Sequence, residues 1–506
     1  MPERRVPRVV AAVRSPWFAT AFVAACLAAV LLPHHPADLD LWARLAVGRL
    51  VEATGDVPRV DPFAFTPRKP EWIDHEWLSG VVFDRTARAF GGAGLTGLKL
   101  LLIAGTVLLL VAARVGRPGA RVRLAVLLPV SIAAADAWLN TVRSHVFTLL
   151  LVAAFSWLLV RHERTGGARW LAPLVPLTWL WAHLHGGVLV GLGILGVTAA
   201  WAVARDRSRR GPLVAVAILA AASLFVGPYG PSYVRFLADA VTMSRPGIRE
   251  WEPLSLASEE AVVPLLAAGL VVVGALVDRD ARRAAGPGLV VLACAAFFAA
   301  RHQRHVPIFL VLAYVHGADL IAAPFVRVAR AFRLPTRTIV TAAAGAAAAA
   351  APVLLVLAGG AWTRSATPDT SWYPVDACRW LRREGPGGRL LCGFNEGSFA
   401  LWRLHPRYLV SLDGRYEEVY PESTKALVTD ALDPTSPRHA DALAAVAPDA
   451  ILLRRDVREG NFGAGWVVAY RDERFDVLLP APRGAAPAGP GDVDGTPASL
   501  WLPPAD

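Results

Sequence analysis

The chain has 506 residues, 55% of them hydrophobic and only 18% charged, with a formal net charge of +11 and four cysteines. Soluble chains carry about a quarter charged residues, so a string of soluble domains, a disordered chain and a disulfide scaffold are all excluded as the main reading. What remains is a mostly α, polytopic membrane protein with one substantial polar region.

A hydrocarbon core takes roughly 20 apolar residues per helix. Eleven windows qualify, some of them short: 17–32, 92–113, 124–139, 146–160, 170–184, 188–204, 212–227, 261–277, 287–300, 306–322 and 338–360. The segments 3–14, 114–123, 161–169, 205–210, 278–283 and 327–337 hold 22 cations against five acids, a balance of +17 that leaves −6 for everything else. The positive-inside rule puts these segments and the N-terminus in the cytoplasm. The basic charge is therefore a topology signal, and no nucleic-acid partner is expected. An odd number of spans sends the C-terminus outside. Residues 1–360 read as the membrane domain, 361–480 as an extracytoplasmic α/β domain and 481–506 as a loose Pro, Gly and Ala tail.

The first outward loop is long, 33–91. Leu39, Trp42, Ala46 and Leu50 make an apolar stripe at helical spacing, which predicts a helix lying on the membrane surface. Gly55, Pro58, Pro62, Pro67 and Pro70 mark turns, and Asp74 is placed to cap a second helix. In the C-terminal domain, helices are expected at 374–384, 396–404 and 438–446. Strands are expected at Arg389–Phe394, Tyr408–Leu412 and Ala450–Leu453, and a hairpin at Val467–Tyr470 with Asp476–Leu479. The Trp residues near helix ends read as interfacial belts.

Ionisable residues outside the basic loops gather on the extracytoplasmic side of this topology. They are Asp38 and Asp40 after the first helix, then Asp136, Arg143, His145, His183, His185, Arg249, Glu250, Glu252, Arg301, His302, Arg304 and His305. Charges near membrane depth are costly and mark functional cavities, so the set points to one outward-open site. Each has a plainer reading: Asp38 or Asp40 as a helix cap, the outer Arg and His as snorkelling anchors. His183 and His185 are two apart and point to different helix faces unless Gly186 and Gly187 break the helix. No HExxH, CxxC, phosphate-loop or nucleophile-elbow spacing is present. No cofactor is called for; a divalent cation on Asp38 and Asp40 stays open, and so does a disulfide between Cys378 and Cys392.

These features resemble the GT-C class of membrane glycosyltransferases, which includes oligosaccharyltransferases, protein mannosyltransferases and aminoarabinose transferases. The resemblance rests on Asp38-Leu39-Asp40-Leu41-Trp42, Asp74-His75-Glu76-Trp77-Leu78, Arg143-Ser144-His145, Trp181-Ala182-His183-Leu184-His185-Gly186-Gly187 and Arg301-His302. Asn395-Glu396-Gly397 and Leu412-Asp413-Gly414-Arg415-Tyr416 add to it and look like a bacterial branch of the class. The chain lacks the Trp-Trp-Asp-Tyr-Gly aromatics of oligosaccharyltransferases, so peptide-acceptor recognition does not carry over. The resemblance implies a multi-pass protein of the bacterial plasma (inner) membrane. Its donor would be a polyprenyl-phosphate-linked sugar, its acceptor a glycan, lipid or protein, and transfer would be by inverting single displacement.

Read for that chemistry, Asp38 or Asp40 would be the base, with Asp38 favoured, and Arg143, His145, Arg301 and Arg304 would hold the donor phosphate. Asp74, His75, Glu76, His183, His185 and Tyr229 would line the substrate site. Asp413 and Arg415 read either as an acceptor contact or as a salt-bridged turn. A lipid or glycan flippase and a non-catalytic envelope-assembly scaffold are the competing readings. A flippase would show charges at the bilayer midplane and internal repeats, which the sequence lacks.

Overall fold

The computed structural model describes residues 37–114, 141–332 and 372–481, apart from 207, 244, 246–247, 456–461 and 464. The windows 17–32, 124–139 and 338–360, with Asp136, lie outside the described residues. The chain packs as two compact units. One comprises residues 1–35, 98–141 and 145–364; the other comprises 36–97, 142–144 and 365–506.

The first unit is helical, and each of the eight described windows contains a helix. Among the described residues, four helices are long and apolar enough to cross a membrane, at Trp77–Arg114, His145–Thr165, Val188–Arg205 and Gln303–Val328. A fifth span results if Val262–Val277 and Arg279–Ala285, bent by 116°, are taken together. Trp77–Arg114 is two helices joined at Gly91, whose φ of 63° only glycine adopts readily. The amphipathic first part thus turns into the apolar second part, as the sequence break near 92 implies. Exposed Leu101, Leu108, Leu266, Leu276 and Phe297 are what a lipid-facing surface requires.

The second unit is α/β. Its five-stranded sheet has the order β2-β1-β3-β5-β4, with β1 Gly388–Leu391, β2 Tyr408–Val410, β3 Ala450–Arg454, β4 Trp466–Arg471 and β5 Phe475–Pro480. β1 pairs in parallel with β2 and β3; β5 pairs antiparallel with β3 and β4. Leu390, Leu391, Ile451 and Leu452 are buried on both sheet faces, the reason these stretches read as continuous apolar runs. Helices Val375–Glu384, Phe394–Leu404 and His439–Val446 fall where the sequence places them. Two more, Tyr416–Val419 and Glu422–Leu432, carry no strong stripe and were not expected.

The first loop belongs to this α/β unit, whereas the sequence division grouped it with the membrane helices. The reason is the Leu39–Thr54 stripe. Trp42 is fully buried, its ring 5.2, 5.0 and 4.9 Å from those of Tyr373, Phe399 and Trp402. Protein, not lipid headgroups, covers this helix. Trp42, Trp72 and Trp181 are core residues and not interfacial ones. The loop also pairs with the β2 edge: Val410 N–H donates to Phe63 O at 2.9 Å and Phe65 N–H to Val410 O at 3.2 Å. Gly397 permits a further close approach, since a Cβ there would stand 1.8 Å from Leu412 O.

Candidate active site

Helix Leu39–Thr54 carries the acidic pair at its N-terminus. Asp38 is the N-cap, its Oδ1 accepting from the Asp40 amide at 3.0 Å, and Asp40 sits in the first turn. The cap reading of Asp38 therefore holds, and it uses one oxygen. Both carboxylates therefore lie at the positive end of the helix dipole.

Arg143 meets them both. Its Nη2 lies 2.5 Å from Asp40 Oδ2 and its Nε 3.5 Å from Asp38 Oδ1. The three side chains are 19–29% exposed, so the group is open to a ligand. Arg143 is brought here by a short bridge between Ala37 and Val142. Gly414 closes the other side, where a Cβ would stand 3.5 Å from Asp40 Oδ1 and 2.8 Å from Ser398 Oγ.

Beneath this group lies a buried ion cluster. Arg44, a turn further along the helix, donates from Nη1 to Asp74 Oδ1 and lies 3.8 Å from Glu76 and 3.7 Å from Glu418. His75 Nδ1 is 3.1 Å from Glu418 Oε1 and its Nε2 3.3 Å from Glu76 Oε1. Ser144 Oγ donates to Glu76 Oε2 at 2.6 Å. The structure thus joins Asp74, His75 and Glu76, but in internal ion pairs rather than along an open wall. Asp74 does not cap the helix directly: it accepts from the Glu76 amide, and the helix begins at Trp77.

Burial opposes charge on His75, but the Glu418 and Glu76 carboxylates outweigh it and hold the imidazole up at about 10. Burial likewise works against ionised Glu418, yet His75 and Arg44 keep it below the usual carboxylate range. A group whose folded pKa is raised stabilises fully below its unfolded value of about 6.5 and loses that contribution as pH rises through the folded value. The unfolding free energy of the purified protein should accordingly fall from about pH 6.5 to about pH 10, by on the order of a few kcal/mol at most, and the melting temperature should fall with it. In His75→Gln that slope should flatten; an equal slope in both proteins would show that another group is responsible.

Asp413 and Arg415 form the salt-bridged turn. Arg415 donates to both Asp413 oxygens at 2.8 and 2.7 Å and also to Asp61, and Tyr420 donates to Asp413 Oδ2 at 2.5 Å. All four are buried. Burial would raise Asp413, but Arg415 and these hydrogen bonds hold it below its ordinary value. The pair pins the first loop to the α/β domain. Cys378 and Cys392 are both buried free thiols.

In the helical unit, helix Leu174–Leu184 stops before His185, which is extended, so the break at Gly186-Gly187 frees the two histidines from one helix face. His183 Nδ1 bonds to Trp179 O at 2.8 Å. His185 Nδ1 accepts from the Gly187 amide at 2.9 Å and lies 2.8 Å from Thr148 Oγ1. Accepting at Nδ1 places the neutral ring's proton on Nε2. His145 and Tyr229 are buried. Arg301 is exposed at its helix end, whereas Arg304 turns inward: its guanidinium stacks 4.2 Å from the Trp251 ring and lies 3.4 Å from Glu250. Arg245 stacks on the same ring at 3.9 Å, and His302 bonds to Trp251 O. Arg245 and Trp251 were not picked out in the sequence; only the Trp amid Arg and Glu in the second outward segment hinted at them. Among the described residues, no three His, Cys, Asp or Glu side chains form a metal-holding group.

Comparison with solved structures decides the fold. The chain is similar to ArnT from Cupriavidus metallidurans bound to undecaprenyl phosphate, at a TM-score of 0.55 and 14% identity over 94% of this chain and 100% of that one. The apo state of ArnT gives 0.56 and 12% over 92% and 99%. The Archaeoglobus fulgidus oligosaccharyltransferase, in complex with Zn and sulfate, gives 0.54 and 14% over 87% and 68%. The chain has a GT-C-like fold. With its apolar helices, this GT-C-like chain is a multi-pass membrane protein. No protein-family model and no curated sequence matches it.

Proposed function

We propose that the protein transfers a sugar from a polyprenyl-phosphate-linked donor to an acceptor at the extracytoplasmic face of the bacterial plasma membrane, by one inverting displacement. The observation that carries this is the partly exposed Asp38–Asp40–Arg143 group at a helix N-terminus. The GT-C-like fold supports it, as does the undecaprenyl phosphate bound by ArnT.

Asp38 is the better base. Among the described residues, both of its contacts fall on Oδ1, leaving Oδ2 to take a proton from the acceptor hydroxyl. The acceptor oxygen then forms its bond to the anomeric carbon as the bond to phosphate breaks. The electron pair leaves on the phosphate, whose charge a guanidinium stabilises. Asp40 holds Arg143 in place for that task. In the helical unit, Arg304 is a stronger candidate for an anionic headgroup than exposed Arg301, and Arg245 joins it on Trp251.

Asp38 and Asp40 offer hard oxygen donors, which would suit Mg²⁺, Mn²⁺ or Ca²⁺. A bound divalent cation would supply further charge stabilisation at the leaving phosphate. Arg143 already neutralises part of that need.

Mass spectrometry of polyprenyl-linked sugars tests the reading. A strain lacking the protein should accumulate one lipid-linked sugar, and the wild-type gene should clear it. An unchanged lipid profile in the null strain would sink donor consumption, and with it this function.

A further inference from the structure

Arg143 has a long, partly exposed side chain on a short non-helical link. Something must hold that link, because a flexible guanidinium would spend much of its time away from the carboxylates. Two fixings flank it. The Ala37–Val142 bridge holds the residue before it, and the 2.6 Å bond from Ser144 Oγ to Glu76 Oε2 holds the residue after it. Glu76 is itself held, since its other oxygen faces His75 and its Oε2 faces Arg44. Glu418 then braces His75 from the opposite side and reaches Arg44 as well.

We infer that Glu76, braced by Glu418 of the α/β domain through His75, is a positioning residue that sets Arg143 on Asp38 and Asp40 by way of Ser144. The inference rests on the proposed glycosyl transfer only for its effect on rate. Both Glu76 oxygens already face protein partners, and its side chain is 12% exposed, which suits holding better than sugar binding. A misplacement of about 1 Å in such a group can cost a hundredfold in rate. Glu418 makes the α/β domain part of the site's framework, although it does not touch the reacting group.

The test has one arm that needs no substrate. Arg143 in the full-length, detergent-purified protein is labelled with phenylglyoxal, and the rate is followed by peptide mass spectrometry. Ser144→Ala should speed labelling several-fold, Glu418→Gln less so, and Ser144→Thr should restore the slow rate. An unchanged labelling rate in a folded Ser144→Ala protein overturns the inference, whatever the reaction proves to be. The second arm is a double-mutant cycle on clearance of the lipid-linked sugar. Ser144→Ala should slow clearance about ten- to a hundredfold. It should add nothing in an Arg143→Ala background, because it acts through Arg143. Additive losses would mean that Ser144 works independently and would also overturn the positioning role. Faster labelling without any effect of Arg143→Ala on clearance would instead uphold the positioning and remove the proposed reaction.

Discussion

Asp38→Asn should lower sugar transfer by about two to four orders of magnitude while leaving the protein folded. Asn is as good an N-cap as Asp, so the Asp40 amide keeps its acceptor and helix Leu39–Thr54 keeps its start. What is lost is a basic oxygen for the acceptor proton and part of the hold on Arg143. Asp40→Asn should act differently. It removes the closer anion from Arg143, at 2.5 Å, but leaves Asp38 Oδ2 able to accept a proton. Its loss should therefore be smaller and should respond to donor concentration more than that of Asp38→Asn. The check is clearance of the lipid-linked sugar in a null strain carrying each variant, with melting curves alongside. If Asp38→Asn clears it like wild type, Asp38 is a cap and nothing more.

The largest effect on stability is expected from Arg44→Met. Arg44 is buried and faces Asp74, Glu76 and Glu418, and these anions hold its guanidinium well above its ordinary value despite burial. Met matches the stem but strands three acids away from water. Breaking a buried pair from one side costs about 3–5 kcal/mol. The remaining acids would bind protons more readily, so the variant should recover part of its stability as pH falls from 8 to 5. Thermal melting of the purified full chain across that range is the measurement. A variant as stable as wild type at pH 8 would mean that the acids find other partners.

Arg44 also shows how far the sequence could be read. The periodicity gave away helix Leu39–Thr54, and the alternation of apolar runs with turns gave away β1, β3 and the β4–β5 hairpin. Asp38, Asp40 and Arg143 were legible as a set because charges at the edge of apolar windows are conspicuous. Their pairing was not, since nothing in spacing says that Arg143 reaches both acids. Glu418 was missed altogether. It sits in a four-residue helix with no pattern of its own, and its partners are hundreds of positions earlier. A signal was present at Arg44, which lies between Trp42 and Leu45 on the stripe side. A cation there needs acids from somewhere, and a lipid surface would not supply them. The same oversight made the stripe look like a membrane-facing one, because an apolar face does not announce what covers it.

The strand-like contact between Phe63–Phe65 and the edge of β2 bears on when the protein becomes competent. Thr66 and Ser411 bond across a separation of 345 residues, and Asp61 meets Arg415 across 354. At 5–20 residues per second, a ribosome takes roughly 20–70 s to cover that distance. Throughout that interval the segment bearing Asp38 and Asp40 has been made, but the frame that holds it has not. A nascent chain should therefore stay silent until β2 is translated, and stop codons placed after the first apolar helices but before β2 should yield membrane-inserted but inert products.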